Sequence, residues 1–167
     1  MTEPQSPPAG PSADDLLTFR RVPADEPPAS TLLEEMIAEV SDLYGGRIDR
    51  YGLFAPSPRD LTPPSGTCLV GFLDGEPIAV GAVRRLDPSV AEIKRMYVAP
   101  GGRSRGVARA LLTALEGAAR DLGYVRVRLD TGAEQPHAKA LYLSTGYVEI
   151  ENYNANPVAS FWGEKEL

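Results

Sequence analysis

The stretch EIKRMYVAPGGRSRGVARALL, residues 92–112, decides how this chain is read. It closes a β-rich run, Val90–Val98, stops that run with Pro100, Gly101 and Gly102, and then takes up a helical pattern. A strand that feeds a glycine-rich turn into a helix is a generic cradle for phosphate. The N–H groups of the first helical turn have no intrahelical acceptor, and the aligned peptide dipoles place about half a positive charge there. Glycine removes the Cβ that would hold a ligand away from the backbone. From Ile93 to Leu115 the chain carries Lys94, Arg95, Arg103, Arg105 and Arg109 and no acid, although its net charge is −6. That positive island points to a local anionic ligand, with a solvated basic helix end as the alternative.

Around this stretch the composition is ordinary for a globular chain. Hydrophobic residues make up 43% and charged residues 24% of 167 positions, enough for one domain with a full core. No run approaches the roughly 18–20 apolar residues that span a bilayer, and no basic, apolar leader opens the chain. The expectation is a cytoplasmic protein with no membrane partner, a monomer or a homodimer. A single cysteine, Cys68, and a single histidine, His137, argue against a disulfide framework and against a metal site. The acidic balance argues against a general nucleic-acid partner. Residues 1–13, rich in Pro, Ser and Gly, read as a flexible tail, and 14–167 as one domain.

Leu16–Val22 reads as a first strand. A helix follows, with Thr31 and Glu34 as a capping box and Leu33, Ile37, Val40 and Tyr44 on its apolar face. Residues 47–66 read as a loop that could shape a pocket. Two β-rich runs flank Asp74-Gly75, a hairpin signal. The helix after the glycine turn is expected from about Ser104 to Leu122, with Val107, Leu111, Leu115, Ala118 and Leu122 as its stripe. Alternation predicts a strand with Val125, Val127 and Leu129 on one face. A short helix begins near Pro136 and ends at Gly146, and two further strands close the chain. The order is α/β, with antiparallel hairpins first and strand–helix–strand crossovers after them: a mixed, mostly antiparallel twisted sheet flanked by helices.

The turn lacks the G-x-x-x-x-G-K-S/T of a nucleotide triphosphate loop and fits G-x-G-x-x-G poorly. Arg103-x-x-Gly106-x-Ala108 instead resembles the pyrophosphate-binding signature Q/R-x-x-G-x-G/A of the GNAT superfamily of N-acyltransferases. The preceding RMYVAP resembles that family's L-x-V-x-P segment, and QPHAKALYLSTGY resembles its N-x-x-A-x-x-L-Y-x-x-x-G-F/Y. Gln135 departs from the Asn found in many members. The resemblance implies a GNAT-like fold and acetyl-CoA as co-substrate, with its pyrophosphate on the amides of Arg103, Ser104, Arg105, Gly106, Val107 and Ala108. It implies that the fourth strand splays from the fifth near Val98. The free edge at Met96, Tyr97 and Val98 would then hold the pantetheine arm, with Gln135 nearby and the Val98 amide on the thioester carbonyl.

The implied reaction is acetyl transfer to a primary amine by direct attack in a ternary complex. The acceptor is expected to be a small or amino-acid-like amine, with a protein or peptide acceptor, or a non-catalytic CoA-sensing module, as alternatives. Glu92 is the expected base, acting directly or through water, and regular alternation would put it on one face with Lys94, Met96 and Val98. Tyr142 is the expected acid toward the departing thiolate. Arg84, Arg85 and Arg95 could meet an acidic acceptor group or be strand-surface charges, and Glu151–Pro157 could shape the acceptor site. His137 reads as a surface residue and Cys68 as a buried one.

Overall fold

The computed structural model describes residues 16–46 and 57–167. The expected tail and the first half of the expected 47–66 loop lie outside the described residues. The elements are β1 (Leu17–Arg21), α1 (Ala29–Leu43), β2 (Thr67–Leu73), β3 (Glu76–Arg85), β4 (Val90–Val98), α2 (Val107–Asp121), β5 (Arg126–Gly132), α3 (Pro136–Ser144), β6 (Val148–Glu149) and β7 (Ala159–Glu166), with short 3-10 turns at Pro58–Leu61 and Pro100–Gly102. They build a seven-stranded sheet in the order β1-β2-β3-β4-β5-β7-β6. The β4–β5 pair is parallel and the others are antiparallel. Asp74 and Gly75 both take positive φ, 53° and 81°, which closes the β2–β3 hairpin in two residues.

Helices α2 and α3 cover one face. Leu111, Leu115, Tyr142 and Tyr147 pack there with Val83, Ile93, Val127, Leu129 and Phe161. Burial of each large apolar side chain contributes roughly 1.5–3 kcal/mol. Gly81 lets α2 sit directly on β3, since a Cβ there would meet Leu115 Cδ1 at 2.6 Å. Helix α1 covers the other face through Leu32 and Leu33, against Cys68, Val70, Val80 and Tyr97. Among the described residues no helix is long and apolar enough to cross a membrane.

Four sequence expectations change. Helix α1 starts at Ala29 behind Pro28 with no side-chain cap, so the Thr31–Glu34 box does not form. Its buried face is Ala29, Leu32 and Leu33, and Ile37 is 40% exposed, because contact with β2–β4 lies a residue away from the expected stripe. Helix α2 starts at Val107, three residues later than expected, because Gly106 with φ 76° is its N-cap. Val125 lies before β5 and is 61% exposed.

Two irregularities shape the middle of the sheet. Strands β4 and β5 pair only at Val90↔Arg126, Ala91↔Val127 and Glu92↔Arg128. Beyond Glu92 and Arg128, β4 stays with β3 and β5 stays with β7, so a cleft opens between them toward their carboxyl ends. The separation begins six residues before Val98, earlier than the resemblance implied. The second irregularity is a bulge. Ala82 pairs with Lys94 but Val80 pairs with Tyr97, so Arg95 and Met96 oppose Gly81 alone, with Arg95 at φ 60°. The extra residue inverts the alternation. Glu92, Lys94 and Tyr97 face α1, whereas Ile93, Met96 and Val98 face α2 and α3. The expectation of Glu92 and Met96 on one face is therefore corrected: they stand on opposite faces at the mouth of the cleft.

Candidate active site

The glycine turn stands at the carboxyl end of β4, above the cleft. Gly102 packs so closely that a Cβ would meet Ile78 Cδ1 at 2.9 Å and Val98 Cγ1 at 3.1 Å. The Gly102 amide donates to Ala99 O and the Arg103 amide to Pro100 O, which leaves neither for a ligand. From there the chain curls through left-handed Ser104 (φ 60°) and Gly106 (φ 76°). Ala110 is the first residue of α2 to donate back, to Gly106 O, so the amides of Ser104 through Arg109 have no backbone acceptor among the described residues. Gly106 has no atom within 4 Å of where a Cβ would stand. This is a set of unspent donors at a helix N-terminus, the arrangement that suits a diphosphate.

The Arg103 side chain does not join them. Its Nε donates to Val98 O at 2.9 Å and its Nη2 to both Glu39 oxygens at 2.7 Å, which ties the turn to β4 and α1. Ala99 N–H donates to Ile78 O on β3, so by alternation the Val98 N–H points into the cleft. Tyr97 pairs with Val80 on β3, and its hydroxyl donates to Glu39 Oε2 at 3.4 Å, so it stands away from the cleft. Gln135 precedes α3 and makes no side-chain cap.

Tyr142 lies on the α2/α3 side of the cleft. Its hydroxyl is 3.9 Å from Met96 Sδ, and its ring lies 5.7 Å from that of Tyr147 and 6.4 Å from that of Phe161. The L-Y-x-x-x-G-Y spacing has a mechanical cause. Thr145 N–H and Tyr147 N–H both donate to Tyr142 O at 3.1 Å, and Gly146 takes φ 96°. This is a Schellman cap whose hydrophobic contact is the Tyr142–Tyr147 pair. The helix end thus fixes the ring that faces the cleft. Burial, with the Asp130 charge second, pushes the Tyr142 phenol well above the usual tyrosine range, so it keeps its proton as a donor.

Across the sheet stands a ladder of charge. Arg84, Glu92, Arg128 and Glu164 are register partners on β3, β4, β5 and β7. Glu92 is 0% exposed and both its oxygens are occupied. Oε1 faces Arg84 Nε at 2.7 Å and Lys94 Nζ at 3.6 Å. Oε2 accepts from the Tyr153 hydroxyl at 2.6 Å and from Asn154 Nδ2 at 3.4 Å. Asn154 Nδ2 also donates to Asp130 Oδ2, Asn156 Nδ2 reaches that oxygen at 3.4 Å, and Trp162 Nε1 donates to Asn154 Oδ1 at 2.9 Å. Burial and then the Glu92 charge push the Tyr153 phenol far up, so it too stays protonated. Arg84 is thus a partner of Glu92, and Arg85 is exposed.

A profile of the Acetyltransferase (GNAT) family matches residues 32–147. The chain belongs to the GNAT family of acetyltransferases. It is 29% identical over 141 residues to the uncharacterized N-acetyltransferase YjgM of Escherichia coli, covering 80% of this chain and 83% of that one. It is 29% identical over 140 residues to the IAA acetyltransferase of Azospirillum brasilense, covering 81% and 88%. A GNAT acetyltransferase of Elizabethkingia anophelis with acetyl-CoA bound has the same fold, with a TM-score of 0.64, 21% identity, and 92% and 99% of the two chains covered. So does the PaiA N-acetyltransferase of Thermoplasma acidophilum in complex with coenzyme A, with a TM-score of 0.65, 16% identity, and 90% and 99% covered.

For a GNAT chain, the match has an informative edge. It includes Glu92, the turn and Tyr142 but stops before Tyr153, Asn154, Asn156 and Trp162. Tyr153, Asn154 and Asn156 were only loosely indicated by the polar run Glu151–Pro157 and Trp162 not at all, and nothing in the spacing foretold that Tyr153 and Asn154 would close over Glu92. Asp130 and Lys94 lie inside the match, but the sequence did not single out Asp130, and Lys94 was read only as part of the basic run. Cys68 is buried, which pushes its thiol up to about 11 and keeps it from serving as a thiolate. His137 is exposed.

Proposed function

We propose that this chain is a cytoplasmic enzyme that moves the acetyl group of acetyl-CoA to a small primary amine, by direct attack within a ternary complex. The observation that carries this reading is the cleft between β4 and β5. It joins the unspent amides of Ser104–Arg109 at one end to Tyr142 on one face and the charged ladder on the other. The diphosphate of the co-substrate suits those amides. Its pantetheine arm suits the unpaired edge of β4, and the Val98 N–H suits a thioester carbonyl that gains charge.

The amine must attack in neutral form. A lysine-like amine costs roughly 4–5 kcal/mol to deprotonate at pH 7, so a neighbouring carboxylate matters. Glu92 carries partners on both oxygens, so we assign it an indirect part, holding Tyr153, Asn154 and Lys94 in place at the site. Tyr142 supplies the proton that CoA needs as it departs.

Thiol release from acetyl-CoA with a panel of primary amines tests the reading, alongside calorimetry with acetyl-CoA and with ATP. The expected result is amine-dependent thiol release and acetyl-CoA binding much tighter than ATP binding. Tight coenzyme binding with no release for any amine would contradict catalysis and leave a CoA-sensing module. Equal binding of ATP would contradict the co-substrate.

A further inference from the structure

We propose that Asp130, and not Glu92, is the residue that receives the acceptor's ammonium group and takes its proton. This inference rests on the acetyl-transfer reading above. Asp130 lies two residues beyond Arg128, the last β5 residue paired with β4, so it stands in the open part of the cleft, whereas Glu92 stands in the closed part. Its side chain is 10% exposed. All of its partners converge on one oxygen: Asn154 Nδ2, Asn156 Nδ2 at 3.4 Å and Lys94 Nζ at 3.7 Å all address Oδ2. Oδ1 takes no hydrogen bond among the described residues. Oδ1 keeps some solvent contact, so an incoming donor can reach it. Both oxygens of Glu92 are filled.

The neighbouring cation shows which charge the spot favours. Lys94 Nζ lies 3.6 Å from Glu92 Oε1 and 3.7 Å from Asp130 Oδ2, longer than a normal hydrogen bond to either. The two carboxylates therefore already draw an ammonium between them without closing on it. A second ammonium on Oδ1 would feel Lys94 nearby, which favours release of its proton. The acceptor ammonium gives one proton to Asp130 Oδ1, and the neutral nitrogen forms the C–N bond at the thioester carbonyl. The C–S bond then breaks, the sulfur keeps the electron pair and takes the Tyr142 proton, and the surplus nitrogen proton restores the phenol. Asp130 releases its proton to solvent. The acceptor class is accordingly a primary amine that arrives protonated.

The test uses the full chain with tyramine, spermidine and methionine as probes, and compares wild type, D130N, D130E and N156A. D130N is expected to lose about 100-fold or more in kcat/KM for the amine, with the KM for acetyl-CoA within about twofold. D130E is expected to recover part of that loss. N156A removes one hydrogen bond to Asp130 Oδ2 but keeps the carboxylate, and is expected to lose far less than D130N in kcat/KM for the amine. Calorimetry of the amine on the enzyme–coenzyme A complex gives a second readout, with binding weakened at least about tenfold by D130N. Wild-type turnover that D130N retains overturns the Asp130 assignment alone. A loss in N156A as large as that in D130N shows a loop latch and overturns it too. Absence of wild-type thiol release with every amine overturns the acetyl-transfer reading, and this inference with it.

Discussion

Replacing Tyr142 with Phe removes one oxygen and should part the fold from the chemistry. The hydroxyl is buried, and its neighbour is Met96 Sδ at 3.9 Å, a weak acceptor. Burying a hydroxyl without a good partner costs about 1–3 kcal/mol. Its removal should therefore be neutral or stabilising, by up to roughly 1 kcal/mol, which corresponds to about 2–4 °C in Tm for a chain of this length. The ring contacts at 5.7 Å and 6.4 Å do not need the oxygen. The proposed reaction does need it. Loss of a positioned acid typically costs about 100- to 10,000-fold in rate. A melting curve and steady-state thiol release, run on the same preparation, read both quantities. The expected pair is an unchanged or raised Tm with a sharply reduced kcat and little change in the KM for acetyl-CoA. Because the phenol keeps its proton well past neutrality, wild-type kcat should show no falling limb from Tyr142 between about pH 6 and 9. Wild-type kcat in the Phe variant would refute the acid role. A Tm loss of several degrees would refute the packing argument.

Further outcomes follow from the same geometry. Gly146→Ala should cost about 1–2 kcal/mol, because φ 96° is unfavourable for Ala while the nearest outside atom, Lys165 Cε, stands 3.6 Å from a Cβ; urea melts check this. Arg103→Ala should cost at most about 1 kcal/mol of stability, its ion pair to Glu39 being exposed, yet raise the dissociation constant for acetyl-CoA about tenfold by loosening the turn from Val98. Calorimetry and melts on one sample separate the two effects. The Cys68 thiol is pushed from 9.0 up to about 11 by burial. The folded chain thus keeps a proton that the unfolded chain has already lost. Stability should therefore fall as pH rises from about 9 to 11, by about 2–3 kcal/mol more in wild type than in Cys68→Ala. Urea melts across that range show it, and parallel slopes for the two chains would refute it.

The element order was legible because each signal was local. Asp74-Gly75 fixed a two-residue turn, Pro100 and the glycines ended β4, and the L-Y-x-x-x-G-Y spacing encoded a Schellman cap. The candidate site was legible only where its parts are consecutive, as in Ser104–Ala108. The bulge at Arg95 and Met96 escaped, because a left-handed arginine leaves no mark in a hydrophobic pattern, and it moved Met96 to the face opposite Glu92. The ladder of Arg84, Glu92, Arg128 and Glu164 escaped because cross-strand register is invisible along one strand. The Arg103 amide was expected on the ligand, whereas Pro100 O claims it, and Glu39, distant in sequence, takes the side chain.

The account stands on the placement of coenzyme A, and a crystal structure of the acetyl-CoA complex tests that most directly. It should show the diphosphate within about 2.7–3.2 Å of amides between Ser104 and Arg109, with the thioester in the cleft between Met96 and Asp130. A diphosphate bound elsewhere, or a cleft closed between β4 and β5 with the coenzyme outside it, would contradict the account.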